Sequence, residues 1–219
     1  MTITKGGITL IFMFTKILLL KSFYRLTMKL VFATHNQNKF KEVAVLMPKN
    51  IELLSLNSIG CRTEIPETGA TLQENARIKA DFVTQKYQLN CFADDTGLLV
   101  EGLDGRPGVY SARYAGEHKS AIDNMQKVLT ELQGAENRKA YFETVIALNI
   151  NGEQFMFSGR VDGKIIENPR GEKGFGYDPI FIPEGYDKTF AELSLETKNK
   201  ISHRGQAIQH LIQFLKKNS

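Results

Sequence analysis

A chain of 219 residues with 42% hydrophobic and 24% charged side chains has material for a full core, in one domain or two closely joined lobes, and its composition excludes disorder. The formal charge of +4 does not argue for a nucleic-acid partner, because Lys5, Lys16, Lys21 and Arg25 all precede Met28, where no acid occurs, and the rest balances at 24 basic against 24 acidic residues. A neutral body excludes a general polyanion-binding surface, whereas a small anionic substrate needs only a few cations converging in one pocket. Two cysteines, Cys61 and Cys91, are too few for a disulfide framework and form no Cys-x-x-Cys pair, which indicates a reduced, cytoplasmic setting. His35, His118, His203 and His210 lack zinc-ligand spacing, so any metal is expected to be a hard, oxygen-binding one.

In chain order, residues 1–27 come first. Residues 8–14 and 17–20 are apolar, but Lys16 interrupts them and the stretch falls short of the roughly 20 residues that span a bilayer. The flank Tyr24-Arg25-Leu26-Thr27 lacks the small-residue pattern of a cleaved signal peptide. The segment reads as an extended or misassigned start, with the functional fold in residues 28–219 and no membrane partner; a membrane-surface anchor is the alternative. Residues 29–33 predict a short buried strand, followed by the polar loop Thr34, His35, Asn36, Gln37, Asn38 and a helix over 39–47 that Pro48 stops. A loop at a strand's end and a helix's start offers free amides to an anion. It is not a Walker P-loop, yet Lys39 is placed to serve as a phosphate cation.

Thr71-Leu72-Gln73-Glu74 is a capping box that predicts a helix to about Tyr87. Ala76, Ala80 and Val83 form its packing stripe; Asn75 and Lys79 share another face, with Glu67 in the preceding loop. Taken alone, Lys79 reads as a solvated lysine. The apolar run 89–93 reads as a buried strand ending at the adjacent carboxylates Asp94 and Asp95. In open α/β sheets ligand sites lie at such ends, and paired acids there suit an ion, although a bare Asp-Asp is more often a polar turn. If strand geometry continued through the pair, only one carboxylate would enter a given cleft. Residues 102–108 are turn-rich and 120–133 predict a helix. Strands over 141–150 and 154–161 joined by Asn151-Gly152 predict a hairpin, hence a mixed sheet. A glycine-rich loop over 171–176 leads to Tyr177-Asp178-Pro179, and a last helix is expected over 203–216.

The strings ETGATLQENARIKA from Glu67, ADDTGL from Ala93, PGVYSARY from Pro107, GFGYDPIF from Gly174 and ISHRGQA from Ile201 carry a resemblance. In this order and spacing the chain, from Met28 to its C-terminus, resembles the Ham1-like inosine triphosphate pyrophosphatases. The resemblance implies an α/β fold: an elongated mixed sheet flanked by helices, two lobes with a central active-site cleft, commonly a homodimer. It implies that Thr34, His35, Asn36, Gln37, Asn38 and Lys39 form the substrate loop, with Lys39 on the phosphates, as is Lys79. Asp95 corresponds to the general base and a magnesium ligand, Glu67 to the second acidic metal contact, and Thr96 lies beside the substrate. Phe175, Gly176, Tyr177 and Asp178 correspond to the base-binding loop, while Lys198, His203 and Arg204 close over the nucleotide. Asp94 is left to support the turn or orient a neighbour.

The implied activity is hydrolysis of ITP, dITP and XTP to the nucleoside monophosphate and pyrophosphate. The chemistry agrees: a pyrophosphate leaving group needs neutralisation by Mg²⁺ and lysines, and magnesium takes only one or two protein carboxylates. An ionised Asp95 is suited to accept a proton from the attacking water. Phe175 offers a flat face to a purine, though a phenylalanine in a tight turn is ordinarily core. Donors such as Lys198 and Arg204 would favour a 6-oxo purine over adenine. Departures from the family pattern are His35 for a frequent glycine, Thr96 for serine and Leu72 for phenylalanine. Competing readings are a Maf-like pyrophosphatase for pyrimidine or modified nucleotides, against which GFGYDP and SHR argue, and a nucleotide sensor without turnover.

Overall fold

The structure, a computed structural model, describes residues 27–218. The reading of residues 1–27 therefore lies, apart from Thr27, outside the described residues. Strand β1 (Met28–Phe32) is followed by helix α1 (Gln37–Leu46) and strand β2 (Ile51–Ser55). Helix α2 (Leu72–Tyr87) leads into the long β3 (Cys91–Val100), the short β4 (Pro107–Gly108) and helix α3 (Ala121–Glu131). The hairpin β5 (Lys139–Ile150) and β6 (Glu153–Ile165) precedes β7 (Phe181–Pro183), and α4 (Leu195–Ile201) and α5 (His203–Lys217) end the chain.

One sheet of order β2-β1-β3-β5-β6-β7, with β4 beside β3, contains every one of these strands. β1 pairs parallel with β2 and β3, and the remaining pairs are antiparallel, which makes the sheet mixed as expected. Asn151 and Gly152 both take positive φ, 53° and 84°, as a two-residue hairpin turn of the I′ kind requires. The capping box at Thr71 and Glu74 is formed, and α2 ends at Tyr87 as expected. α1 starts two residues earlier than expected because the Asn36 side chain caps it, accepting hydrogen bonds from the amides of Asn38 and Lys39. Two of the amides expected to be free for an anion are thus occupied by that side chain.

Alternation along β1 and β3 separates two faces. Leu30, Phe32 and Phe92 pack with Val43 of α1 and with Ala207, Ile208 and Leu211 of α5. Val31, Cys91 and Ala93 pack on the other face with Ala76, Ala80 and Val83, the predicted stripe of α2. A third core lies toward the other end of the long strands, where Leu98, Val100, Phe142 and Ile165 meet α3 and the segment after residue 176. Cores at opposite ends of β3, β5 and β6 correspond to the two expected lobes. Among the described residues no helix is long and apolar enough to cross a membrane.

Candidate active site

β3 does not end at the acids: it continues for five residues past Asp95, so the expected strand terminus and polar turn are both corrected. Pairing with β5 across the whole of β3 supplies the backbone partners that keep the aspartates extended. Because the strand continues, the two carboxylates face opposite ways. Asp94 lies on the α1/α5 face, where its Oδ1 is 3.1 Å from Lys39 Nζ and its Oδ2 3.0 Å from Arg204 Nε. Asp95 lies on the α2 face, where Oδ1 accepts from Lys79 Nζ at 3.1 Å and Oδ2 from the Asn75 amide at 3.2 Å. Asp94 supports no turn; it holds two cations.

A cleft of about 1040 Å³ runs between the cores. Thr34, His35, Asn36, Asn38 and Lys39 line it at the β1-α1 junction, with Glu67, Lys79, Asp95 and Thr96 beside them. Phe175, Gly176, Tyr177, Asp178, Lys198, His203 and Arg204 line it as well. Gln37 alone of the expected residues does not line the cleft; it is the exposed first residue of α1. His35 reaches across to the carbonyl of Thr63 at 3.0 Å, a tie between the 34–38 and 61–67 loops that glycine lacks.

Lys79 is not a solvated lysine. It is 7% exposed and donates to both Glu67 and Asp95. Burial works against its charge, but the carboxylates of Asp95 and Glu67 outweigh it and raise its pKa. Burial likewise pushes Glu67 up, and Lys79 reverses that, leaving Glu67 below its ordinary value. For Asp95 burial wins over Lys79 and Lys39, and its pKa is raised. Asp94 goes the other way: burial is overcome by Lys39 and Arg204, holding its carboxyl well below the usual range. Lys39 is lowered by burial, against the pull of Asp94.

At the other end, Ser202 is both the last cap of α4 and the N-cap of α5, accepting from the Gly205 amide at 3.1 Å. This junction brings Lys198, His203 and Arg204 to one wall. Glu42, a buried residue of α1 not anticipated from sequence, joins them: Oε1 is 2.7 Å from Lys198 Nζ and Oε2 2.6 Å from Arg204 Nη1. Asp178 Oδ2 receives Lys198 at 2.6 Å and the Phe175 amide at 2.7 Å. Both cations lie over the Phe175 ring, at 5.0 Å for Lys198 and 5.6 Å for Arg204. His203 stacks on Phe142 with centroids 4.7 Å apart. Its Nδ1 is the one buried side-chain polar atom, among the described residues, without a hydrogen-bond partner. Burial, and then Arg204, lowers the His203 pKa well below its ordinary value, which keeps the ring neutral. Arg113 was also unassigned; its guanidinium lies 3.7 Å from Glu67 Oε2 in the cleft, and its only signal was membership of PGVYSARY.

Glu67 and Asp95 supply oxygen donors only, drawn together around the Lys79 ammonium, which already stands as a cation between them. Among the described residues there is no group of three or more His, Cys, Asp or Glu placed to hold a metal. Two carboxylates without nitrogen or sulfur donors fit a hard cation that keeps most of its waters, and do not fit a protein cage.

Fold and cleft together define a mixed α/β protein whose central strand divides two acids between a cation-lined cleft and its supporting wall. The chain belongs to the Ham1 family, whose model matches residues 30–214. It is 57% identical over 188 residues to a dITP/XTP pyrophosphatase of Flavobacterium johnsoniae, covering 86% of this chain and 98% of that one. A dITP/XTP pyrophosphatase of Bacillus subtilis is 50% identical over 189 residues, covering 84% and 96%. Among solved structures, the Ham1 protein of Staphylococcus aureus superposes with a TM-score of 0.79 at 40% identity, covering 87% of this chain and 100% of that one. A HAM1 protein from Coxiella burnetii gives 0.80 at 39%, covering 87% and 99%.

Proposed function

We propose that the protein hydrolyses non-canonical purine nucleoside triphosphates, ITP, dITP and XTP, to the monophosphate and pyrophosphate, and so clears deaminated purines from the nucleotide pool. The observation that carries this reading is one cleft with acids and lysines at one end and an aromatic ring under two cations at the other. Relatives named dITP/XTP pyrophosphatase that the chain matches over nearly their whole length support it.

Lys39 and Lys79 bind the polyphosphate, and Glu67 and Asp95 would hold Mg²⁺. When bound, the ion supplies charge neutralisation at the polyphosphate. Asp95 accepts the proton of the attacking water; burial raises its pKa, which makes it a better acceptor than an ordinary aspartate, and the Lys79 ammonium favours its ionised form. Thr96 lies beside the same phosphates, its hydroxyl held by Thr144 at 2.7 Å. The Phe175 ring stacks on the purine, Lys198 and Arg204 face its 6-oxo group, and neutral His203 closes the wall beside them. Adenine, with a 6-amino group, would set a donor against these donors.

The experiment is a panel of ITP, XTP, dTTP and UTP with Mg²⁺, scored for pyrophosphate release. ITP and XTP are expected to lead; preference for the pyrimidines would establish the Maf-like reading instead, and binding without turnover the sensor. The same reading carries a homodimer, checked by light scattering on the full chain.

A further inference from the structure

Asn75 was singled out by its spacing from Lys79, yet the chemistry above leaves it without a task. It is fully buried, 0% exposed, and both ends of its amide are engaged. Nδ2 donates to Asp95 Oδ2 at 3.2 Å, and Oδ1 accepts from the backbone N–H of Gly69 at 2.8 Å. Gly69 lies two residues beyond Glu67. Its approach to α2 leaves no room for a side chain: a Cβ there would stand 2.6 Å from Glu74 Cβ and 2.8 Å from Asn75 Oδ1. The amides of Ala70 and Thr71 are also clipped to Glu74, so this end of the loop is fastened to the helix.

One turn along the same face, Lys79 makes the parallel connection, with Glu67 on one side and Asp95 Oδ1 on the other. Each oxygen of Asp95 thus has a donor from α2, and each donor also grips the Glu67 segment. Lys79 contributes charge, which an entering phosphate attracts and an entering cation replaces at the carboxylates. Asn75 carries no charge, so its two bonds persist when Lys79 turns to a ligand.

We propose that Asn75 is a positioning residue that fixes the separation of Glu67 and Asp95 and the orientation of the Asp95 carboxylate. The proposal rests on the reading of those two acids as the cation-holding pair. Hydrogen-bond partners behind metal-holding carboxylates typically contribute about 10- to 100-fold to affinity or activity, and misplacement of a reacting group by about 1 Å costs about 100-fold.

The test uses the full chain and three variants. Asn75→Ala removes both bonds. Asn75→Leu keeps the volume and the branching of the side chain and removes both bonds without bringing a charge to Asp95. Gly69→Ala sets a methyl group against Glu74 Cβ and Asn75 Oδ1, so the loop and the Asn75 amide must part although residue 75 is unchanged. Each is expected to lower kcat for ITP by about 10- to 100-fold with KM little changed. Mg²⁺ binding, titrated calorimetrically into the nucleotide-free protein, should weaken in parallel. Asn75→Ala and Gly69→Ala should be non-additive when combined, because they break one connection. Circular dichroism and thermal midpoints well above the assay temperature for all three variants separate positioning from folding. Wild-type kcat and Mg²⁺ affinity in Asn75→Leu and Gly69→Ala would overturn the proposal, as would a defect confined to KM. If the wild type releases no pyrophosphate from ITP, the functional reading fails, and the calorimetric arm still decides the role of Asn75.

Discussion

Glu42→Ala is the most demanding test of the charged wall. Glu42 is 7% exposed and is the carboxylate that joins Lys198, 2.7 Å away, to Arg204, 2.6 Å away. Removing one partner of a buried ion pair leaves uncompensated charge and costs about 3–5 kcal/mol. For a chain of this size each kcal/mol moves the thermal midpoint by about 2–4 °C, so a drop on the order of 6–20 °C is expected. Asp178 still holds Lys198 and Asp94 still holds Arg204, which favours the lower part of that range. With its tether gone, the wall loses its fixed spacing over Phe175, and KM for ITP should rise in the variant.

The pH dependence supplies an independent check. Burial raises the Glu42 pKa, but Arg204 and Lys198 outweigh it, so the folded value lies below the ordinary 4.5. A depressed carboxylate contributes stability that is fully present above the unfolded pKa and is lost as pH falls through the folded one. The gap in midpoint between wild type and Glu42→Gln should therefore be constant at neutral pH and close below about 4.5. Differential scanning fluorimetry across that range measures it. A Glu42→Ala midpoint equal to the wild type, or a gap that widens in acid, would refute the assignment of Glu42 as the ionised centre of the wall.

Other outcomes follow from the same geometry. Asp95→Asn should lower kcat by about 10²- to 10⁴-fold while an uncleavable ITP analogue still binds, as read by pyrophosphate release and calorimetry. Phe175→Leu removes a stacking face worth about 1–3 kcal/mol, so KM for ITP should rise at least about fivefold in steady-state assays. EDTA should abolish pyrophosphate release, and excess Mg²⁺ should restore it. His203 is held neutral, with a folded pKa well below 6.5; its stability contribution is present above that value and lost as pH falls below it, because the unfolded chain then takes up the proton. A His203→Asn variant should lack this component in denaturant titrations compared between neutral and mildly acidic pH.

What was legible in the chain is what local chemistry decides. The capping box at Thr71 and the Asn151-Gly152 turn depend on residues within a few positions of each other, and both elements formed as read. Glu42 illustrates the opposite case. A glutamate on a short helix ordinarily faces water, and its partners stand 156 and 162 positions away, so nothing near it announces burial. β2 went unmarked because Ile51–Ser55 is short and its apolar residues do not alternate; pairing with β1 makes it a strand. Gln37 was grouped with the loop by adjacency, whereas the Asn36 cap turns it into the start of α1. α4 also went unmarked, although Ser194 caps it by accepting from the Thr197 amide.

The aspartate pair shows why register and chemistry are inseparable here. Two adjacent acids in a turn would be interchangeable, but in a strand their side chains project to opposite faces. The continuation of β3 therefore delivers Asp95 to Lys79 and the cleft, and Asp94 to the back of Lys39 and Arg204, two cations that line the cleft in front of it. A slip of one residue against β5 would exchange the two and turn every apolar neighbour to the wrong core. Thr96 opposite Thr144 resists that slip: the two are cross-strand partners, their hydroxyls are 2.7 Å apart, and Arg204 bonds Thr96 at 3.2 Å. The contacts that set the strand's register also set which carboxylate faces the cleft, so a substitution that weakens this pairing is expected to lower the thermal midpoint and pyrophosphate release together.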